Sequence, residues 1–111
     1  MGAADRNRRY ERSVKGIINN PFKRMRSRVR GGSTSHPHLY KGLEICSKED
    51  FVGWSTTDEN FLTAYISWVD SGYSRSLSPS IDRVDSSRGY TFDNMEWVTV
   101  GENTRRANIN R

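Results

Sequence analysis

The sequence predicts a small, single α+β domain, helical through its first two thirds and strand–loop–strand–helix in its last third. Three observations carry that prediction. Residues 58–71 place Phe61, Leu62, Tyr65, Ile66 and Val69 on one helical face. Residues 80–84 and 95–98 alternate in the manner of strands on either side of a loop containing Gly89. Thr99 followed three residues later by Glu102 has the spacing of a capping box that opens a helix. A chain of 111 residues suits one compact domain. With 33% hydrophobic residues the core must be small, and twelve aromatics compensate in part by burying large areas.

Taken in order, residues 1–12 show no clear apolar face and are expected to fray, so that residues 1–19 form a basic, flexible arm ahead of a domain spanning 20–111. A helix is expected from about Asn20 to Arg30, with Pro21 in its first turn and Phe22, Met25 and Val29 at i, i+3 and i+7. Gly31-Gly32 ends it, and residues 31–38 read as a loop. Leu43–Cys46 reads as a short strand. Ser47 with Asp50 three residues on caps a brief helix to Trp54, and Thr57 is expected to cap the helix of 58–71, which Gly72 stops. Phe61, Tyr65, Trp68 and Trp54 are assigned to the core. Residues 73–79 read as a Ser-rich linker, and the last helix runs to about Asn108.

Charge is distributed unevenly. The whole chain carries +5, but residues 1–31 hold ten Lys or Arg against two acids, while the remainder is net acidic. Lys23, Arg24, Arg26, Arg28 and Arg30 fall within eight positions with no intervening acid. Such asymmetry points to a polyanion, nucleic acid first and an acidic membrane surface second; double-stranded DNA is the preferred partner, with Arg6, Arg8, Arg9 and Arg12 as an arm and Arg105 and Arg106 beside the same strand. The plainer reading is a solvated helix face. No run of about 18 apolar residues crosses a membrane. No secretory signal is apparent, and the lone cysteine, Cys46, allows no internal disulfide and suits a reducing, cytoplasmic setting. Cys46 also excludes a cysteine-based zinc site within one chain, and is expected to be a small buried residue.

The ordered set Asp82-Arg83-Val84-Asp85, Gly89-Tyr90, Asn94-Met95-Glu96-Trp97-Val98-Thr99 and Glu102-Asn103 resembles the HNH (His-Me finger) endonucleases, most closely small phage and homing-endonuclease variants. Upstream, His36-Pro37 with Tyr40, the segment ending in Cys46, and the aromatic-rich helix resemble one phage subgroup, so the resemblance spans roughly residues 20–108. It implies a C-terminal ββα finger over 80–108, packed on a helical scaffold behind a basic N-terminal helix. It also implies Mg²⁺ or Mn²⁺ held by Asp82 and Asn103, since a hard cation keeps several waters and needs only one or two protein ligands. Asn94 takes the position of the family's middle Asn, which fixes the loop between the strands by side-chain-to-backbone bonds. Trp97 is expected to pack the finger against the rest of the domain.

One position departs from the family. Arg83 falls where the first His acts as general base, and a guanidinium with a pKa above about 12 accepts no proton near neutrality. The same change is found in the phage subgroup. Arg83 suits a phosphate clamp instead. The only histidines, His36 and His38, are the candidate replacement bases, against the alternative of ordinary loop residues. Asp85 is either a further ligand or a turn residue. Asp82 and Asn103, read by spacing alone, are a turn acid and an exposed amide. The leading expectation is therefore a metal-dependent DNA endonuclease or nickase. The alternatives are a catalytically inactive HNH-like nucleic-acid-binding protein or inhibitor of a host enzyme, and a pure protein-interaction module. A lone finger suits nicking, and symmetric cutting of both strands needs a dimer.

Overall fold

The computed structural model describes residues 3–32 and 37–109, with side chains described for 8–32 and 38–109. Among the described residues, five α-helices and one two-stranded antiparallel sheet make an α+β fold. The helices are α1 (Ala3–Arg12), α2 (Val14–Val29), α3 (Lys48–Thr57), α4 (Glu59–Asp70) and α5 (Val100–Ile109), and the strands are β1 (Pro79–Arg83) and β2 (Met95–Thr99). Among the described residues no helix is long and apolar enough to cross a membrane.

The N-terminal region differs from the expectation of a flexible arm. Residues 3–12 are helical, and the 19/20 boundary falls inside α2. The reason is tertiary. Ser13 caps α2, its hydroxyl accepting from the Gly16 amide at 3.0 Å. At Gly16 the chain folds back so closely that a Cβ there would lie 1.9 Å from the Tyr10 carbonyl oxygen. Across the corner the buried Asn19 donates from Nδ2 to the Tyr10 hydroxyl at 3.1 Å, and the Tyr65 hydroxyl donates to the Arg12 carbonyl at 2.7 Å. Pro21 therefore sits inside a longer helix rather than in its first turn. Of the expected basic arm, Arg8 and Arg9 are exposed, Arg12 lies over the Tyr73 ring at 4.0 Å, and the side chain of Arg6 is outside the described set.

The core is aromatic. Ile18, Phe22 and Met25, one stripe of α2, meet Phe51 of α3, Phe61 of α4 and the buried Tyr90, Met95 and Trp97 of the C-terminal third. Each such side chain contributes on the order of 1.5–3 kcal/mol by leaving water. Two expectations shift slightly. Asp58 rather than Thr57 caps α4, its carboxylate accepting from the Phe61 amide at 2.9 Å, while the Thr57 hydroxyl bonds back to the Gly53 carbonyl. The buried stripe of α4 is Phe61, Ala64 and Trp68, and Leu62, Ile66 and Val69 lie on the outside. Gly72, at φ 78°, ends α4 with the Tyr73 amide bonded to the Trp68 carbonyl at 2.9 Å.

The hairpin pairs Ile81 with Trp97 and Asp82 with Glu96. Alternation then sends Ile81 and Trp97 toward the helical core, and Ser80, Asp82 and Glu96 toward α5. The expected strand at 43–46 reduces to a single parallel bridge between Ile45 and Tyr90, made by the Tyr90 amide on the Glu44 carbonyl at 2.7 Å and the Cys46 amide on the Tyr90 carbonyl at 3.0 Å. The contact is tight enough to require Gly89, whose Cβ would fall 2.0 Å from the Glu44 oxygen. Within the Ser-rich 73–79 segment, Arg75–Leu77 forms one 3₁₀ turn.

Candidate nucleic-acid interface

The loop between the strands is built around one side chain. Asn94 is 1% exposed, its Oδ1 accepts from the Asp85 amide at 2.8 Å, and its Nδ2 donates to the carbonyls of Asp85 at 3.0 Å and Gly89 at 2.9 Å. One amide thus satisfies three backbone groups that no strand pairs. Asp85 itself is a turn residue. Its carboxylate accepts from the Ser87 hydroxyl at 2.7 Å and amide at 3.0 Å, and those two bonds, with Arg88 and Arg83 nearby, hold its pKa below the ordinary value.

At the end of β1 the side chains of Asp82 and Arg83 diverge. Asp82 faces α5, where Arg106 donates from Nη1 to Asp82 Oδ2 at 3.0 Å and to Glu96 Oε2 at 2.9 Å, and from Nε to Glu102 Oε1 at 3.0 Å. Asp82 and Glu96 stand directly opposite on neighbouring strands, an arrangement that repels unless a cation lies between them. Arg106 is that cation, and the carboxylates push its pKa further up. Arg105 is paired with Glu102 as well. Both guanidinium groups, expected beside a DNA strand, are paired with carboxylates of the chain itself.

The same pairs hold the Glu102 carboxyl down to about 2 from an ordinary 4.5, through hydrogen bonds from Arg105 first and Arg106 second. A carboxylate depressed on folding stabilises fully above its unfolded value, and that contribution fades as pH falls through the folded value. Carboxyl ¹³C NMR is expected to give a Glu102 midpoint near 2, with its stabilisation of α5 decaying between pH 4.5 and 2. A midpoint at 4.5 would show that Glu102 is not paired in solution.

On the other side of the hairpin the chain gathers cations and aromatic rings. The Arg83 guanidinium lies 4.7 Å from the Tyr40 ring centroid and 5.3 Å from that of Tyr90, and its Nη1 donates to the Arg88 carbonyl at 3.0 Å. Arg28 reaches the same place from α2, 5.7 Å over Tyr40 and with Nη1 at 3.5 Å from the Tyr90 hydroxyl. A cavity of about 110 Å³ opens beside them, lined by Arg24, Arg28, Ser80, Tyr90 and Asn103 with Pro21, Met25 and Ile81. Burial and the neighbouring Arg28 lower the pKa of Arg24. Among the described residues no carboxylate pairs with Arg24, Arg28 or Arg83.

The expected site residues thus separate. Asn103 and Asp82 both lie where α5 meets the hairpin, Asn103 donating from Nδ2 to Ser80 Oγ and the Ile81 carbonyl, each at 3.1 Å. Since only an N–H can meet that carbonyl, the orientation of the amide is fixed and Oδ1 remains an acceptor. Lys23 and Arg30 are exposed, and Arg26 lies 5.7 Å over Phe22. His38 is exposed in the Pro37–Leu39 turn, two residues before Tyr40. His36 lies outside the described residues. Cys46 is half-buried, and desolvation raises its pKa, which suits a packing residue. Sequence reasoning missed Ser80, Tyr40 and the Tyr90 hydroxyl as members of the site. Tyr90 lies in the segment that resembles a finger motif, but nothing in its spacing says that it meets Arg28, 62 residues away.

Among the described residues no group of three or more His, Cys, Asp or Glu is disposed to hold a metal. An Asp and an Asn fit only a hard cation that draws most of its ligands from water and phosphate. The spare oxygen of Asn103 and the Asp82 carboxylate are donors of that kind, with Arg106 as the competing cation. The chain matches no protein-family model, no curated protein and no solved structure.

Proposed function

We propose that this protein binds duplex DNA and cuts one strand as an HNH-type, metal-dependent endonuclease, with residues 80–108 as its ββα finger. One observation carries the reading. Arginines from two distant parts of the chain, Arg24 and Arg28 of α2 and Arg83 of β1, converge around Tyr90 with no carboxylate in ion-pair contact among the described residues, next to a hairpin end that has carboxylates on its other side. Cations and acids segregated across one hairpin suit a phosphodiester lying over it, with phosphate on the arginine side.

In this reading Arg28 and Arg83 clamp phosphate oxygens, a task the planar guanidinium fits better than an ammonium does. Lys23 and Arg30 extend the cationic face along the backbone. Asp82 and Asn103 would hold Mg²⁺ or Mn²⁺, which when bound supplies positive charge to the phosphate oxygens. Arg83 is a cation throughout and takes no proton. His38, exposed in the turn two residues before Tyr40, is the proposed proton acceptor.

Supercoiled plasmid is expected to become open circular with Mg²⁺ or Mn²⁺ and to stay intact in EDTA. Asp82→Ala should lower the rate by about 100-fold or more, with a thermal melt confirming the fold. Undiminished nicking by a folded Asp82→Ala variant removes the assignment. The second reading, a DNA-binding finger without cleavage, is favoured by the Arg106–Asp82 bond and by Arg83 in the base position. It predicts binding that survives EDTA and no cut with either metal.

A further inference from the structure

We propose that the cavity between α2 and the hairpin is a seat for a single phosphate group, made by Arg24, Arg28, Ser80 and Tyr90, that works without metal. The proposal deepens the DNA-binding reading and rests on it for the source of the phosphate. It singles out two of the five cations of the basic helix.

The donor inventory of the cavity is what argues for an anion. Ser80 Oγ accepts from Asn103, and the Tyr90 hydroxyl oxygen accepts from Arg28. A hydroxyl that accepts still has its own O–H to give. Neither O–H donates to a protein group among the described residues, although Tyr90 is only 3% exposed. A buried hydroxyl proton calls for an acceptor. Arg24 and Arg28 add guanidinium N–H groups, stand one helical turn apart and repel each other. Burial first, and that repulsion second, lower the pKa of Arg24. An acceptor-only group carrying negative charge would satisfy both hydroxyls and offset both cations.

The cavity, about 110 Å³, is large enough to take a phosphate group. Pro21, Met25 and Ile81 complete the walls around these donors. Lys23, Arg24 and Arg30 are all exposed, and of these three only Arg24 lines this cavity.

The test compares two double variants that remove the same charge, Arg24→Gln/Arg28→Gln and Lys23→Gln/Arg30→Gln. Duplex affinity is read by fluorescence anisotropy in EDTA at fixed salt. The first is expected to weaken binding by about 30-fold or more, as loss of charge-assisted hydrogen bonds does. The second should weaken it by about 3-fold, as surface charges do. Equal losses overturn the seat and leave DNA binding standing. Inorganic phosphate, matched in ionic strength with chloride, should raise the melting temperature of the wild-type protein and not of the Arg24→Gln/Arg28→Gln variant. Tyr90→Phe, which keeps the ring, should shrink that rise. An equal melting temperature in phosphate and chloride for the wild type overturns the proposal even if the double variant fails to fold. A phosphate effect with no duplex binding would instead keep the seat, fed by free phosphate, and sink the DNA reading.

Discussion

Asn94→Asp is expected to cost about 3–5 kcal/mol of folding stability near neutral pH, although the two side chains are almost the same size. The native amide accepts one backbone N–H and donates to two backbone carbonyls from a position that is 1% exposed. A carboxylate keeps the acceptor and loses both donors. Its second oxygen would then face the Asp85 and Gly89 carbonyls at hydrogen-bond range, with a negative charge in a desolvated place. Asn94→Ala removes the same three bonds without that charge, and the Asp85 carbonyl keeps the Arg88 amide at 3.1 Å, so it is expected to cost less, about 2–4 kcal/mol. The two variants separate further with pH. Burial beside carbonyl oxygens raises the folded pKa of the introduced carboxyl group, so its excess penalty is fully present above that pKa and disappears as pH falls below the unfolded value. Urea midpoints across pH read both effects. A pH-independent Asn94→Asp variant as stable as the wild type would show that the loop does not depend on this amide.

How much of this is legible in the sequence follows from where each contact comes from. The 80–108 segment is readable because its determinants are local. Strand alternation, a capping residue and its helix lie within 30 positions, and the Glu102 amide does bond Thr99 Oγ1 at 3.1 Å. The reciprocal half of the capping box does not follow, because Arg105 and Arg106 offer the Glu102 carboxylate stronger, charge-assisted partners. Residues 3–12 defeat a local reading for a tertiary reason. They show no clear apolar stripe, and their helix is held by the Gly16 corner and the Tyr10–Asn19 bond. Those contacts become visible only once α1 lies on α2. Trp68 and Phe61 are readable as core, but the buried stripe around them is narrower than periodicity implies, since a helical repeat fixes an axis and not which edge a neighbour covers.

The candidate site divides in the same way. Asp82, Asn103 and the basic helix stand out along the chain, and the fold brings Asn103, Arg24 and Arg28 to one cavity. The engagement of Arg106 with three carboxylates is not foreseeable, because Asp82 and Glu96 become neighbours only through the hairpin register. A count of charges along the chain treats Arg106 as free for DNA, whereas the fold has already matched it.

The scaffold that holds this hairpin makes the last prediction, because the sheet has only two strands and cannot stand alone. Trp97 is the link. Its ring lies 4.8 Å from Phe61 and 5.9 Å from Phe51, and its indole N–H donates to Ser55 Oγ at 3.1 Å where Ser55 is wholly buried. One side chain therefore joins β2 to both α3 and α4. Trp97→Ala is expected to lose about 3–5 kcal/mol, a large share of the roughly 5–15 kcal/mol typical of a domain. Trp97→Phe keeps most of the apolar area and loses the indole donor. Its cost should be smaller, about 1–3 kcal/mol, and should divide between a cavity and the lost bond to Ser55. Ser55→Ala isolates the second part. If the bond matters, Ser55→Ala adds little once Trp97 is replaced by Phe, because the pair has already been broken. Full additivity in denaturant melts would mean that the indole N–H contributes nothing and that Trp97 acts by volume alone. Either result leaves the geometry of the arginine side dependent on this residue, since Ile81 and Tyr90, which line the cavity, belong to or pack against the same cluster.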